Sequence, residues 1–169
     1  MTEAEVSITV VDLDGEKPGD REILNTDERE RADRFPVAEL RRRYVAGRAA
    51  VRRALGEVVD SDPSGLMFDY SPYGRPDLVG HDSISFNYTN SGAIGIIAIS
   101  RSGRVGIDVE VIRPDFADLR IAERSFAPAE VARLRALPHE ERNLAFLRCW
   151  TRKEALLKAV GGGLTLGLR

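Results

Sequence analysis

The sequence predicts an α+β fold, on three observations. Residues 6–11, Val-Ser-Ile-Thr-Val-Val, form a β-branched run, and 93–100 is almost wholly apolar, as a buried strand requires. Leu40, Tyr44, Val45, Ala49, Val51 and Leu55 recur at helical spacing, as do Leu144, Leu147, Trp150 and Leu157. The order runs strands, helix, strands, then helices and the start of a strand. That order suggests two similar halves, 1–104 and 105–169, the second cut short.

Val6 to Val11 is the first strand, and the Gly- and Pro-bearing stretch 12–20 is a loop. Thr26 suits an N-cap, with Glu28 and Glu30 in the first turn of a helix that Pro36 interrupts. A longer helix spans Ala38 to Leu55, with Gly56 as its C-cap. Its arginines at 41, 42, 43, 48, 52 and 53 read as a solvated face, or with one or two turned toward a phosphate. Leu66–Tyr70 is a short strand, 71–76 a turn, and Ile84–Tyr88 a strand. The short turn 101–103 pairs 93–100 with 104–111 as a hairpin. Residues 115–124 are weakly helical, and a helix opens at Pro128 and runs through Leu137. A last helix runs from His139 to about Val160 and ends at Gly161-Gly162-Gly163, with the alternating stretch 164–168 behind it as a strand.

Composition narrows the function classes. With 43% hydrophobic and 31% charged residues in 169, the chain reads as an ordinary globular protein. A net charge of −2 gives no footprint for nucleic acid, and no apolar run reaches membrane-spanning length. The N-terminus lacks a signal-peptide pattern, and the single cysteine, Cys149, excludes an internal disulfide. A cytoplasmic protein without a membrane partner is expected. Lys17, Lys153 and Lys158 are its only lysines, so two of the three fall within one short stretch of helix.

Two segments carry the chemistry. In Gly106-Ile107-Asp108-Val109-Glu110, period two puts both carboxylates on one face. In Trp150-Thr151-Arg152-Lys153-Glu154-Ala155-Leu156-Leu157-Lys158, Trp150, Glu154 and Lys158 share one side of a helix. Asp108, Glu110 and Glu154 together can line an oxygen site for a hard divalent cation. Lys158 adds a positive charge one turn from Glu154, which suits a phosphate-bearing ligand. Each motif has an ordinary alternative: a solvated sheet face for Asp-x-Glu, an i, i+4 surface ion pair for Lys-Glu-x-x-x-Lys. Trp150 is expected in the core, and His81 and His139 lie outside every motif.

These residues resemble the 4′-phosphopantetheinyl transferases, in the larger Sfp-like branch built from two pseudo-symmetric halves. The Gly-Ile-Asp-x-Glu segment and the later Trp-x-x-Lys-Glu-x-x-x-Lys helix are both present. Tyr73-Gly74-Arg75-Pro76 is similar to the family's Gly-Lys-Pro turn. Phe86 to Gly92 is similar to its Phe-Asn-x-Ser-His-Ser-Gly block. The resemblance implies a transferase-like α+β fold of two pseudo-symmetric halves, the second incomplete because the family continues for several further strands. It implies transfer of the 4′-phosphopantetheine arm of coenzyme A to a serine of an apo acyl or peptidyl carrier protein, releasing 3′,5′-ADP. The metal implied is Mg²⁺, with Mn²⁺ as the alternative, held by Asp108, Glu110 and Glu154. Asp108, Glu154 and Lys158 are the implied catalytic residues, with Glu154 as base. Arg31, Arg43, Arg75, Thr89, Asn90, Lys153 and Lys158 are the implied coenzyme A contacts. Asn90 stands where the family has histidine, Arg75 where it has lysine, and Glu28 where some members have a basic residue. Two other readings arise from the residues: a non-catalytic or incomplete relative that binds coenzyme A or carrier without transfer, and a metal-dependent nuclease. The first admits a monomer or self-association through an unpaired edge at 164–168.

Overall fold

The computed structural model describes residues 6–15, 17–113 and 119–161. Its main sheet has three antiparallel strands in the order β1-β5-β4: β1 (Val6–Asp12), β5 (Ile94–Ser100) and β4 (Ser85–Ser91). A two-stranded hairpin of β2 (Phe68–Tyr70) and β3 (Pro76–Leu78) stands beside it. α1 spans Thr26–Asp33 and α2 spans Ala38–Val59. α3 (Leu119–Ser125), α4 (Pro128–Ala136) and α5 (His139–Val160) come after the sheet in the chain. The mixture is α+β, as the sequence predicts. The alternating stretch 164–168, its proposed pairing edge and Gly162-Gly163 lie outside the described residues.

Two local corrections concern helix ends. Asn25, not Thr26, caps α1: its Oδ1 accepts the Glu28 amide at 2.9 Å, while Glu28 Oε2 accepts the Asn25 amide at 3.1 Å. This reciprocal pair satisfies two amides that the first turn leaves orphaned. α2 runs past Gly56 and ends at Asp60, which takes the left-handed conformation at φ 51°. Asp tolerates that region better than most residues.

The larger correction concerns pairing. β5 pairs with β1 on one side and β4 on the other, and 104–113 joins no ladder. The tight β4–β5 connection is the reason. Ser91 and Ile94 are partners, so two residues turn the chain, and Gly92 supplies a left-handed φ of 59°. The alternation of 105–111 has another origin, a polar strand face beneath it.

That face is easily traced. Ser85, Asn87, Thr89 and Ser91 alternate along β4 and so share one side of the sheet. Ser85 Oγ accepts the Val105 amide at 3.0 Å, Asn87 Oδ1 the Ile107 amide at 2.9 Å, and Ser91 Oγ the Val111 amide at 3.1 Å. The partner number rises with the β4 number, so 105–111 runs parallel to β4 across its face. Side chains take the place of a backbone ladder.

The opposite face of the sheet carries the core. Phe86, Ile97 and Ile99 pack with Val51 and Leu55 of α2, all nearly or fully buried. A second apolar cluster joins α3, α4 and α5 through Ala122, Phe126, Val131, Leu134, Phe146 and Leu147. Trp150 stacks on Phe146 at 5.9 Å, so it is core packing as expected. Leu144, expected in the apolar stripe of α5, is exposed; the stripe turns through Phe146 and Leu147 instead.

α5 then presses on the 104–111 segment. A Cβ at Gly106 would overlap the carbonyl oxygen of Ala155 and the amide nitrogen of Ala159. Only a residue without a side chain lets the two backbones meet here. The far end of α5 is fixed too. Gly161 leaves the helix at φ 78°, and Arg75 Nη1 donates to the carbonyls of Lys158 and Ala159, both at 2.9 Å. Among the described residues no helix is long and apolar enough to cross a membrane.

Gly106→Ala is therefore expected to lower stability by about 3 kcal/mol, because the overlap is with backbone that cannot rotate away. Urea unfolding followed by circular dichroism measures it; a loss below about 0.5 kcal/mol would contradict the close approach.

Candidate active site

The site forms where α5 meets the segment over β4. Lys158 Nζ donates to Asp108 Oδ1 at 2.6 Å and to Thr89 Oγ1 at 3.2 Å, and Thr89 Oγ1 donates to Asp108 Oδ1 at 3.1 Å. One residue of each element thus meets in a triangle. Glu110 Oε2 accepts from Ser91 Oγ at 2.9 Å.

Negative charge exceeds what these bonds satisfy. Asp108 Oδ2 and Glu154 Oε1 are buried and accept no hydrogen bond. Unpaired buried oxygens of this kind are costly unless something fills the site. Burial pushes the Glu154 carboxyl above its usual range. The nearby Asp108 and Glu110 charges add to that push, and Lys158 opposes it. Three carboxylates and one lysine thus feel each other electrostatically. No group of three or more His, Cys, Asp or Glu side chains among the described residues already converges as a ligand set. Asp108 gives one oxygen to Lys158. The donors nonetheless suit a hard divalent cation, and the two orphaned oxygens carry that fit.

A groove of about 640 Å³ is lined by Asn87 and Asn90 of β4, the strand that also carries Thr89 and Ser91. Arg31, Arg43, Arg48 and Arg113 bring positive charge to it, with Tyr44 and Asn90 among its walls. β4 is an edge strand of the described sheet, and this one element supplies both the groove wall, through Asn87 and Asn90, and the hydrogen bonds to the carboxylates, through Thr89 and Ser91. Arg31 lies over the Tyr44 ring at 5.5 Å. Arg43 is tied to Asp14 at 2.7 Å and to Glu39 at 2.6 Å.

Of the α2 arginines that read from sequence as solvated, Arg52 is buried and Arg48 is half-buried. Glu28 Oε1 accepts from Arg48 Nε at 2.8 Å and also from its Nη2, and Glu28 Oε2 accepts from Arg52 Nε at 2.7 Å. Arg52 further donates to the carbonyls of Pro63 and Leu66 at 2.8 and 3.1 Å. Burial alone would raise the Glu28 carboxyl, but the two guanidinium groups outweigh it and hold it low. Glu28, a departure from the basic residue of some family members, is thus the partner that lets Arg48 sit at the groove wall.

Two implied coenzyme A contacts stand elsewhere. Arg75 commits its guanidinium to the α5 carbonyls and to Ser85 Oγ at 2.7 Å, acting as a helix clamp. Lys153 pairs with Glu130 at 2.9 Å and lies over the Phe126 ring at 5.6 Å, on the α3–α4 side of α5. The structure brings together Asp108, Glu110, Glu154, Lys158 and Thr89, and gathers Arg31, Arg43 and Asn90 in the groove. Arg48 is one of the α2 arginines that the sequence offers to a phosphate, whereas sequence reasoning misses Arg113 and Tyr44 in the groove and Ser91 beside Glu110. The i, i+2 polar spacing of 85–91 is a signal that points to Ser91, while nothing local marks Arg113.

Comparison with known proteins gives the family. A family model described as the 4′-phosphopantetheinyl transferase superfamily matches residues 104–169, the stretch that carries Asp108, Glu110, Glu154 and Lys158. A Bacillus subtilis 4′-phosphopantetheinyl transferase is 31% identical over 154 residues, covering 91% of this chain and 67% of that protein. The chain belongs to the 4′-phosphopantetheinyl transferase superfamily. The transferase HetI of Nostoc sp. is 39% identical over 144 residues, 83% of this chain and 61% of HetI. Sfp of Bacillus subtilis strain 168 is 32% identical over 146 residues, 86% of this chain and 64% of Sfp. The chain thus spans about three fifths to two thirds of the length of these relatives.

The raised Glu154 carboxyl has a definite sign. Its neutral form is favoured in the fold, so its contribution is present at low pH and lost as pH rises through the folded value. Glu154→Gln is therefore expected to raise the melting temperature of the metal-free protein at pH 7. The gain should vanish below about pH 4, where the unfolded carboxyl is also protonated. Melting curves across that range test it; a destabilised variant at pH 7 would contradict the assignment.

Proposed function

We propose that this chain carries the catalytic site of a 4′-phosphopantetheinyl transferase that moves the phosphopantetheine arm of coenzyme A onto a carrier-protein serine. The observation that carries the reading is the pair of orphaned buried oxygens, Asp108 Oδ2 and Glu154 Oε1, with Lys158 bonded to Asp108.

In this reading Arg31, Arg43, Arg48 and Arg113 draw the coenzyme A phosphates into the groove, and Tyr44 and Asn90 contact its nucleotide portion. Asp108, Glu110 and Glu154 would hold the divalent cation, Mg²⁺ or Mn²⁺. When bound, that cation neutralises charge on the pyrophosphate. Glu154 takes the proton of the carrier serine. The serine oxygen bonds to the phosphorus that bears pantetheine, and the bond from that phosphorus to the 3′,5′-ADP oxygen breaks. Lys158 leaves Asp108 for the pyrophosphate and stabilises the departing ADP.

The division of the chain belongs to the same proposal. One unit, 1–104, holds the main sheet with α1 and α2. The second, 105–169, holds the motifs and α3–α5. Their separate apolar clusters support the boundary. The pseudo-symmetry of the two units, a cytoplasmic setting and an apo carrier protein as partner come from family membership. Self-association through the second unit belongs to this reading too, as the alternative to a monomer.

Incubation with coenzyme A, Mg²⁺ and a panel of apo carrier proteins is expected to add one phosphopantetheine mass to a carrier. Glu154→Gln should abolish the addition, and Arg31→Ala should weaken coenzyme A binding about tenfold, the contribution of one charge-assisted hydrogen bond. Tight coenzyme A binding without any mass shift would favour the non-catalytic relative.

A further inference from the structure

We infer that Ser91 is a positioning residue that holds Glu110 for the divalent cation, an inference that rests on the site reading above. Ser91 is 8% exposed, and its hydroxyl makes two bonds in opposite senses. Its Oγ accepts the Val111 amide at 3.1 Å and donates to Glu110 Oε2 at 2.9 Å. A hydroxyl has one proton to give and two lone pairs to receive with. Acceptance from the Val111 amide directs that proton elsewhere, and Glu110 takes it. The backbone amide next to Glu110 and the carboxylate of Glu110 are thereby fixed by one atom.

The neighbouring bonds show what is special about this one. Ser85 and Asn87 also accept amides of the overlying segment, from Val105 and Ile107. Among the described residues, Thr89 and Ser91 are the two β4 side chains that hydrogen-bond to Asp108 and Glu110. Thr89 shares Asp108 with Lys158, whereas Ser91 gives Glu110 its hydroxyl donor. β4 therefore divides its polar face. Ser85 and Asn87 fix the register of the segment, and Ser91 aims a ligand. Outer partners of metal ligands set affinity by removing ligand freedom before the ion arrives, and their loss weakens binding by about 10- to 100-fold.

The test is Mn²⁺ titration by calorimetry and by electron paramagnetic resonance of free Mn²⁺, on the full chain. Ser91→Ala is expected to weaken Mn²⁺ binding by about 10- to 100-fold. Ser91→Thr, which restores the hydroxyl, should recover most of the loss. Ser85→Ala removes an acceptor of the segment's Val105 amide and of Arg75 Nη2 at a serine that does not bond Asp108 or Glu110; because Arg75 keeps its bonds to the α5 carbonyls, Mn²⁺ affinity should stay within about twofold of wild type. If Ser91→Ala does not fold, Ser91→Cys, close in shape and a weak donor, carries the same expectation. Wild-type affinity in Ser91→Ala, or an equal loss in Ser85→Ala, overturns the positioning role while leaving the site reading intact. A wild-type chain that binds coenzyme A but no Mn²⁺ overturns the metal reading itself, and this inference with it.

Discussion

The site depends on one close approach of backbone to backbone, at Gly106. α5 brings Glu154 and Lys158, and the 104–113 segment brings Asp108 and Glu110. They can share charge only if the helix axis comes near the segment. Any side chain at position 106 would sit where Ala155 and Ala159 already are. The small residues Ala155 and Ala159 on the helix complete the fit. The consequence of this approach is electrostatic: a lysine reaches an aspartate at 2.6 Å across two elements far apart in sequence.

That approach is supported from below and from the end. From below, β4 offers oxygens rather than a backbone ladder, so the segment can keep its carboxylates on the site side while its amides are satisfied. From the end, Arg75 holds the last carbonyls of α5, a favourable place for a cation beside the negative pole of a helix. Function takes something from this stability. Two carboxylate oxygens remain buried and unbonded, and Glu154 is held above its ordinary pKa. Strain of this sort is what a site prepared for a charged ligand shows before the ligand arrives.

Much of this is legible in the residues. α5 can be read to its ends because Pro138 precedes it and Gly161 ends it, strong local punctuation. The carboxylates stand out because Asp-x-Glu and Lys-Glu-x-x-x-Lys are compact motifs. The hairpin expected of 93–100 with 104–111 is absent because a segment laid over a polar strand face alternates just as a strand does. Period two reports which side a residue faces, not what accepts its amide. Arg75 eludes sequence reasoning for a related reason. Its partners, Lys158 and Ala159, lie more than eighty positions away, so no local pattern reveals that its charge is committed to a helix end. Arg48 and Arg52 look solvated because arginine usually is; the acidic partner that draws both inward, Glu28, sits on a different helix.

Asp108 and Lys158 couple the segment to α5, and a double-mutant cycle with Asp108→Asn and Lys158→Met, read by urea unfolding, tests that coupling most directly. Direct contact across a buried edge predicts a coupling energy of about 1–3 kcal/mol. Effects that add within about 0.5 kcal/mol would mean that the two residues do not meet, and that the site is not assembled in this way.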